Sequence, residues 1–246
     1  MNVGIIGAGN IGGTIARKLC AAGHTVKLAA AEGPDHIREQ AKTMGAQPVS
    51  VDDAVKDVEV VILSVPLAAM PELAGVVRGA APGAVIIDTS NYYPMRDGQI
   101  AEIDGGKPES VWGSEQLGRP LIKTFNAALA HTLAERGAPR GGTGRLAMPV
   151  AGDDERGKEI ASKLVDDAGF DPVDAGSLAS SWRQQPGTPA YCTELSSTEL
   201  PEALAAAQEG RGPANRDTLM NEFMGASTFP THDQIIARNR EVTAAR

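Results

Sequence analysis

The composition of this 246-residue chain excludes several classes of function. The formal net charge is -8 at pH 7 and the basic residues are scattered, so we expect no nucleic-acid partner, which would need clustered lysine and arginine. Cys20 and Cys192 have no neighbouring ligand residues at metal-site spacing, which predicts neither a disulfide framework nor a metal site. No apolar run approaches the roughly 20 residues of a membrane span, and the first strand begins too early for a signal peptide. We therefore expect a cytoplasmic protein without a membrane partner.

The first segment of the chain predicts a dinucleotide-binding turn. Val3–Ile6 is a short apolar run that predicts a strand, and Thr14–Ala22 predicts a helix. Between them, Gly7, Gly9 and Gly12 have the spacing G-x-G-x-x-G. A strand that leads through such a turn into a helix is the entry to a dinucleotide-binding domain.

Each glycine of the turn has its own physical reason. Gly7 permits the tight turn, Gly9 lets the backbone approach a pyrophosphate because it has no Cβ, and Gly12 lets the helix lie close to the strand. The free N–H groups and the positive end of the helix dipole then face the phosphates.

The residues after the second predicted strand, His24–Ala29, indicate which dinucleotide binds. Ala31 and Glu32 follow this strand, and Glu32 stands 20 residues after Gly12. A carboxylate at this place accepts hydrogen bonds from the ribose hydroxyls of NAD and repels the 2′-phosphate of NADP. We therefore expect NAD as the cofactor, with NADP less favoured, although Arg38 on the next helix could still hold a phosphate.

Strands and helices alternate up to about residue 125, which is typical of a parallel sheet with crossover helices. A long polar loop is predicted from Asn91 to Glu109, because it is rich in glycine and proline. We expect an α/β fold with a Rossmann-type doubly wound parallel sheet over residues 1–125. The further predicted elements of this half are a helix at Pro34–Met44, strands at Pro48–Ser50 and Val58–Val65, a short helix from Asp52, a helix at Met70–Gly79, and strands at Ala84–Asp88 and Pro120–Phe125.

The second half, residues 126–246, is expected to form a smaller C-terminal α/β part that serves substrate binding or dimerisation. Its predicted elements are a helix at Ala127–Arg136, a strand at Arg145–Val150 and a helix at Asp153–Asp167. Beyond Ser180 the pattern is neither helical nor stranded, and from Gly210 we expect a frayed tail or an arm across a partner subunit.

Ligands of open parallel sheets bind in the crevice outside the carboxyl ends of the strands. We expect the polar, proline-stiffened segment Trp182–Tyr191 to cover this crevice and to contribute Trp182, Gln184 and Gln185 to the substrate site. The nicotinamide is expected among the strand-end residues Ser64, Val65, Pro66, Thr89, Ser90, Asn91 and Asn126.

Five motifs together resemble the NADP-dependent oxidoreductases of the deazaflavin coenzyme F420, from residue 1 to about residue 178. The resemblance implies a Rossmann domain, a smaller part that closes over the nicotinamide, and a homodimer. It also implies that Asn10 and Ile11 lie by the pyrophosphate and that Ser64, Val65 and Pro66 lie by the nicotinamide. The segment from Trp182 resembles a bacterial subgroup with a Trp-Arg-Gln-Gln-Pro-Gly-Thr-Pro element. The five motifs are Gly7–Gly12, Ser64–Pro66, Asp88–Pro94, Lys123–Asn126 and Pro149–Asp154.

The chain departs from this family at the ribose end. Family members usually carry serine and arginine where this chain has Ala31 and Glu32, and those two side chains hold the 2′-phosphate of NADP. The tail beyond residue 180 is also longer than in compact members.

Candidate catalytic residues are few. Hydride transfer to a deazaflavin mainly needs alignment of two rings, whereas reduction of a carbonyl or imine also needs a proton donor. Asn126, His131, Tyr191 and Lys123 are the candidates, of which we select the first three. His131 could equally be a surface histidine, and Tyr191 a core or interface aromatic.

The sequence as a whole predicts an oxidoreductase that moves a hydride between NAD(H) and an unidentified small molecule. Three alternatives stay open: a deazaflavin:NADP oxidoreductase, a reductase of small carbonyls or imines, and a non-enzymatic redox sensor that binds the dinucleotide.

Overall fold

The computed structural model describes residues 1–244, and a six-stranded parallel sheet lies at its centre. The strand order is β3-β2-β1-β4-β5-β6, so the chain starts in the middle and winds to one edge and then to the other. This is the expected doubly wound Rossmann sheet. The six strands are β1 (Asn2–Ile6), β2 (Thr25–Ala29), β3 (Gln47–Pro48), β4 (Val60–Leu63), β5 (Val85–Asp88) and β6 (Ile122–Lys123).

Helices cover both faces of the sheet, which explains why β4 and β5 consist almost entirely of buried apolar residues. On one face Ile15, Leu133 and Leu164 join the core, and on the other face Met70 and Trp112 do so. The helices are α1 (Asn10–Ala21), α2 (Arg38–Met44), α3 (Val51–Ala54), α4 (Met70–Arg78), α5 (Pro94–Asp97), α6 (Ala101–Asp104), α7 (Glu109–Leu117), α8 (Ala130–Glu135), α9 (Glu155–Asp167), α10 (Glu199–Ala206), α11 (Arg211–Gly225) and α12 (His232–Thr243), with 3-10 turns at Leu67–Ala69 and Leu178–Gln184.

A second, two-stranded parallel sheet follows the first. It consists of β7 (Ala147–Val150) and β8 (Asp171–Asp174), which α9 connects. Backbone hydrogen bonds of 2.8 and 3.0 Å between Lys123 and Ala151 link this sheet to β6. The sequence pattern did not predict β8, because its residues are half polar and only four in number.

The prediction of a long loop from Asn91 to Glu109 was wrong. This segment contains α5 and α6 and the first residue of α7, none of which we predicted. In α7 the interior glycine, Gly113, weakens the helical pattern. A Cβ at Gly113 would lie 3.4 Å from the Leu121 side chain and 3.9 Å from that of Met70, which are ordinary contact distances, so packing does not require glycine there.

The prediction of an irregular C-terminal tail was also wrong, because α10, α11 and α12 lie beyond Ser180. The segment from Gly210 is neither frayed nor an arm that leaves its own chain. A Cβ at Gly187 would lie 2.1 Å from the Gly212 carbonyl oxygen, and Arg240 donates to the Thr193 carbonyl at 2.7 Å. The apolar stripe of α11 is too narrow to be recognised, since its buried residues are Gly212, Arg216 and Leu219. The last two residues lie outside the described part.

A buried ion pair joins the carboxyl ends of β5 and β6. Lys123 Nζ lies 2.9 Å from Asp88 Oδ2, and both side chains are fully buried. Lys123 also donates to the Ser90 carbonyl, the Ser90 N–H donates to Asp88 Oδ1 at 2.8 Å, and Ser110 Oγ donates to Asp88 Oδ2 at 2.7 Å. Asp88 therefore orients the loop that begins at Thr89.

Glu109, the first residue of α7, lies near this ion pair and is 3% exposed. Burial raises the pKa of its carboxyl from 4.5 to about 7, although the Lys123 ammonium and the Tyr92 N–H act in the opposite direction. The carboxyl group therefore binds its proton more tightly in the folded chain than in the unfolded chain.

We predict that Glu109→Gln removes a pH dependence of stability. With a folded-state pKa near 7 and an unfolded value of 4.5, the contribution of Glu109 is fully present below pH 4.5 and is lost as the pH rises to 7. The free energy of unfolding of the variant, relative to that of the parent, should therefore rise by about 2–3 kcal/mol between these pH values. Urea denaturation across this range, with the exposed Glu102→Gln as control, measures the difference; a constant difference would contradict the prediction.

Candidate functional site

The glycine-rich turn connects β1 to α1, and its glycines meet different surroundings. Gly7 has a φ of +110°, and a Cβ on it would lie 2.1 Å from the Ser64 carbonyl oxygen. A Cβ on Gly12 would lie 1.9 Å from the Gly7 carbonyl oxygen. Gly7 thus makes the turn, and Gly12 lets α1 pack closely on it.

Gly9 faces open space, because no atom lies within 4 Å of the position its Cβ would take. Gly9 is also the N-cap of α1 and provides no side-chain cap, so the N–H groups of the first turn are available to a ligand. A cavity of about 360 Å³ lies over the turn, with Asn10 and His131 on its wall. This cradle has the shape and the donors that a pyrophosphate requires.

The segment just after β2, where the sequence predicts that the ribose binds, lies at the surface. Ala31 and Glu32 are both exposed, and Gly33 turns the chain behind them with a φ of +90°. Arg38 forms an ion pair with Asp35, and both side chains are exposed, so this pair holds the guanidinium only weakly.

The ends of β4 and β5 lie side by side at the same edge. The Ser64 N–H donates to the Ile6 carbonyl at 2.8 Å, and both the N–H and the hydroxyl of Thr89 donate to the Leu63 carbonyl. Val65 is half-buried and Pro66 is exposed. The segments that follow β1, β4 and β5 therefore lie together at one edge of the sheet.

Asn126 lies at the end of β6 and is the centre of a hydrogen-bond chain. Its Nδ2 donates to Asn91 Oδ1 at 3.0 Å and to the Gln184 carbonyl at 2.8 Å, and its Oδ1 accepts from Gln184 Nε2 at 2.9 Å. Both amide hydrogens are thus used within the protein, which leaves one acceptor lone pair on Oδ1. The side chain of Asn126 joins the β5 loop to the segment Trp182–Tyr191.

Tyr191 and Tyr93 form a second pair close to Asn126. Their hydroxyl oxygens lie 2.8 Å apart, and the neighbouring Cys192 N–H donates to the Ala127 carbonyl at 2.9 Å. Burial raises the pKa of both tyrosines and raises that of the Cys192 thiol to about 12. The Tyr191 hydroxyl, which we selected as a proton donor, is therefore hydrogen-bonded to the hydroxyl of Tyr93. Tyr93 was not singled out from the sequence.

His131 lies beside the glycine-rich turn, whereas Asn126 follows β6. The ring of His131 is 4.5 Å from the ring of His232 on α12. His232 Nε2 in turn lies 2.8 Å from Glu194 Oε1. Burial acts to raise the pKa of Glu194, but hydrogen bonds from Thr132 and His232 outweigh it and lower the pKa. His232 and Glu194 give no recognisable sequence signal, because the chain brings them to His131 from distant elements.

A larger cavity, of about 510 Å³, begins next to the β5 loop. Trp182 and Gln185 lie on its wall, whereas Gln184 is fully buried against Asn126. Glu109 and Arg216 also line it. Neither was singled out from the sequence, because one opens an unpredicted helix and the other lies in the segment predicted to be a tail.

Two further properties concern residues 1–244. Among them, no group of three or more histidine, cysteine, aspartate or glutamate side chains is arranged to hold a metal ion. No helix in this range combines the length and the apolar character needed to cross a bilayer.

Comparison with known proteins identifies the first part of the chain. Residues 2–92 match the family model of the coenzyme F420-dependent NADP oxidoreductases. The Escherichia coli K12 protein YjhV is 43% identical over 104 residues, which cover 42% of this chain and 76% of YjhV.

Two crystal structures extend the similarity. The hypothetical protein SMa0349 from Sinorhizobium meliloti is 30% identical, with a TM-score of 0.69 over 79% of this chain and 94% of that chain. A candidate F420-dependent NADP-reductase from Arthrobacter sp. FB24 is 19% identical, with a TM-score of 0.58 over 73% of this chain and 86% of that chain, and shares the fold. The chain belongs to the family of coenzyme F420-dependent NADP oxidoreductases, and it is an NAD(P)-dependent oxidoreductase of the Rossmann type.

Proposed function

We propose that this protein transfers a hydride between NAD(H) and a small organic substrate. The observation that carries the proposal is the open cradle at Gly9, at the N-terminus of α1, together with an exposed carboxylate, Glu32, just after β2. The N–H groups of Asn10 and Ile11 would hold the pyrophosphate, and Glu32 would accept the ribose hydroxyls. The bound nicotinamide would supply the carbon that gives or takes the hydride.

The preference for NAD over NADP rests on charge. Glu32 would lie against a 2′-phosphate, and Ala31 has no hydroxyl or cation to compensate. Arg38 is the one nearby cation that we weighed as a phosphate ligand, and it pairs with Asp35. This preference distinguishes the chain from what the name of its family implies.

The reacting end of the site would lie where the loops after β4, β5 and β6 meet. Ser64, Val65 and Pro66 would border the nicotinamide on one side, with Thr89, Ser90 and Asn91 on the other. Asn126, held by Asn91 and Gln184, would orient the reacting ring or the substrate. Substrate would enter from the cavity beside Trp182 and Gln185. Tyr191, bonded to Tyr93, is the proposed proton donor, and His131 is proposed to contact the phosphate end.

The cofactor preference is tested by titrating NADH and NADPH by fluorescence. We predict at least tenfold tighter binding of NADH, because a hydrogen bond to a charged group contributes about 1.5–3 kcal/mol and the Glu32 carboxylate also repels a 2′-phosphate. Glu32→Arg with Ala31→Ser should reverse the preference, and the exposed Glu39→Arg on α2 is the matched control. Equal affinities in the parent protein would contradict the proposal. Turnover is then screened with carbonyl and imine acceptors and with the deazaflavin, which we expect to be a poor acceptor.

The role of Asn126 is tested by separating binding from turnover. Asn126→Ala should lower kcat at least tenfold and leave the Kd for NADH within about threefold, because its contacts lie away from the phosphates. Gln184→Ala removes the hydrogen bond from Gln184 Nε2 to Asn126 Oδ1 and keeps the two that Asn126 Nδ2 donates. A loss of kcat in Gln184→Ala as large as that in Asn126→Ala would show that Asn126 positions the loops and does not touch the reacting groups. Unchanged kinetics in Asn126→Ala would remove this assignment.

We also propose a homodimer, as the resemblance implies. Met224, near the end of α11, and Phe229, between α11 and α12, are each 63% exposed, which is unusual for large apolar side chains. Light scattering should give twice the monomer mass of 25.5 kDa, and Phe229→Glu should reduce the dimer fraction. A monomer at all concentrations would contradict the proposal.

A further inference from the structure

The larger cavity lies next to the proposed reacting end. Tyr92, which follows Asn91, and Gln185, which follows Gln184, both line it. Its volume of about 510 Å³ suits a small organic molecule. The rings of Tyr92 and Trp182 provide apolar wall, so the cavity can also accept an apolar group.

Two buried polar atoms on this wall have no hydrogen-bond partner among the described residues. They are Oε2 of Glu109 and Nε2 of Gln185. Most buried polar atoms in folded proteins are paired, so two unpaired atoms at one cavity point to a ligand that supplies the missing partners. The carboxylate oxygen calls for a donor, and the amide nitrogen calls for an acceptor.

The charges of the cavity favour a cationic donor. Arg216 is compensated by Asp217 at 2.8 Å and also donates to the Tyr92 carbonyl at 3.4 Å. Lys107, the other cation on the wall, pairs with Glu115 at 2.5 Å. The wall also carries Asp104 and Glu209, so its remaining charge is negative.

We propose that this cavity binds a small organic amine, whose ammonium pairs with Glu109 and whose apolar part packs against Trp182 and Tyr92. The inference rests on the proposed function in taking this amine as the substrate class: the carbon next to the nitrogen would give a hydride to bound NAD⁺ while the ammonium loses one proton to solvent, which leaves an iminium ion and NADH. An amine is a suitable ligand because its N–H groups match the free carboxylate oxygen. The Arg183 guanidinium lies over the Trp182 ring at 4.8 Å and the Arg216 guanidinium over the Tyr92 ring at 5.4 Å, so the apolar part of the amine would pack against the parts of these rings that the two guanidinium groups leave open.

Binding of an amine is coupled to the protonation of Glu109. The charged groups that act on this carboxyl are Lys123, Asp88 and Arg216, together with the desolvation that raises its pKa to about 7. An ammonium ligand stabilises the ionised carboxylate, so binding at pH 7 should release about half a proton. A neutral ligand of the same shape should release none.

Isothermal titration calorimetry tests the proposal with three probes of matched shape: benzylamine, benzyl alcohol and benzoate. Titrations at pH 7 in phosphate and in HEPES, which has no primary amine and a different ionisation enthalpy, report the proton release. We expect benzylamine to bind at least tenfold more tightly than benzyl alcohol, with release of protons. Glu109→Gln should lower the affinity for benzylamine to that for benzyl alcohol and abolish the proton release. Glu102→Gln, which removes an exposed carboxylate on α6, should change neither.

Three outcomes would overturn the inference: equal binding of amine and alcohol, tightest binding of benzoate, or unchanged amine affinity in Glu109→Gln. A thermal melt and an NADH titration of each variant show that the fold and the dinucleotide site are intact. Amine binding without NADH binding would contradict the proposed function and leave the cavity assignment standing. NADH binding without amine selectivity would contradict the cavity assignment and leave the proposed function standing.

Discussion

The site depends first on the buried ion pair between Asp88 and Lys123. Burying two charges costs several kcal/mol of desolvation for each, so the pair is favourable only when its remaining hydrogen bonds are satisfied. Here the Ser90 N–H and the Ser110 hydroxyl donate to the Asp88 carboxylate, and the Ser90 carbonyl accepts a hydrogen bond from the Lys123 ammonium. The ion pair thereby fixes three things together: the ends of β5 and β6, the loop after β5, and the start of α7.

The geometry of the reacting end follows from these three constraints. Because the β5 loop is fixed by Asp88, Asn91 can meet Asn126 at the end of β6, and Asn126 can hold Gln184. The 3-10 segment that carries Gln184 brings α11 close, and Gly187 permits that approach. The same fixed α7 leaves Glu109 buried beside the cavity. The buried ion pair between Asp88 and Lys123 therefore shapes the part of the cavity wall that Glu109 forms.

The sequence predicted the elements that local rules determine. The spacing of the glycines predicts the glycine-rich turn, and the short apolar runs predict the six parallel strands. The end of the apolar run Ala84–Asp88 places Asp88 at a strand end. Local rules did not predict α7, because Gly113 in its interior weakens the helical pattern. They also missed α11, because it buries few apolar residues, and Glu109, because its importance comes from burial beside distant charges. Contacts such as His131 with His232 join elements that no short sequence pattern connects.

The two ends of the proposed cofactor site are built with different physical means. At the ribose end, Glu32 is exposed and has no hydrogen bonds to hold it among the described residues, so its charge alone would select the cofactor. At the reacting end, buried side chains are bonded to one another, and each change there would disturb several partners. Cofactor preference can therefore change by substitution at one or two surface positions without altering the substrate site. This separation would let a chain of this fold exchange one dinucleotide for the other while it keeps its strand-end hydrogen bonds.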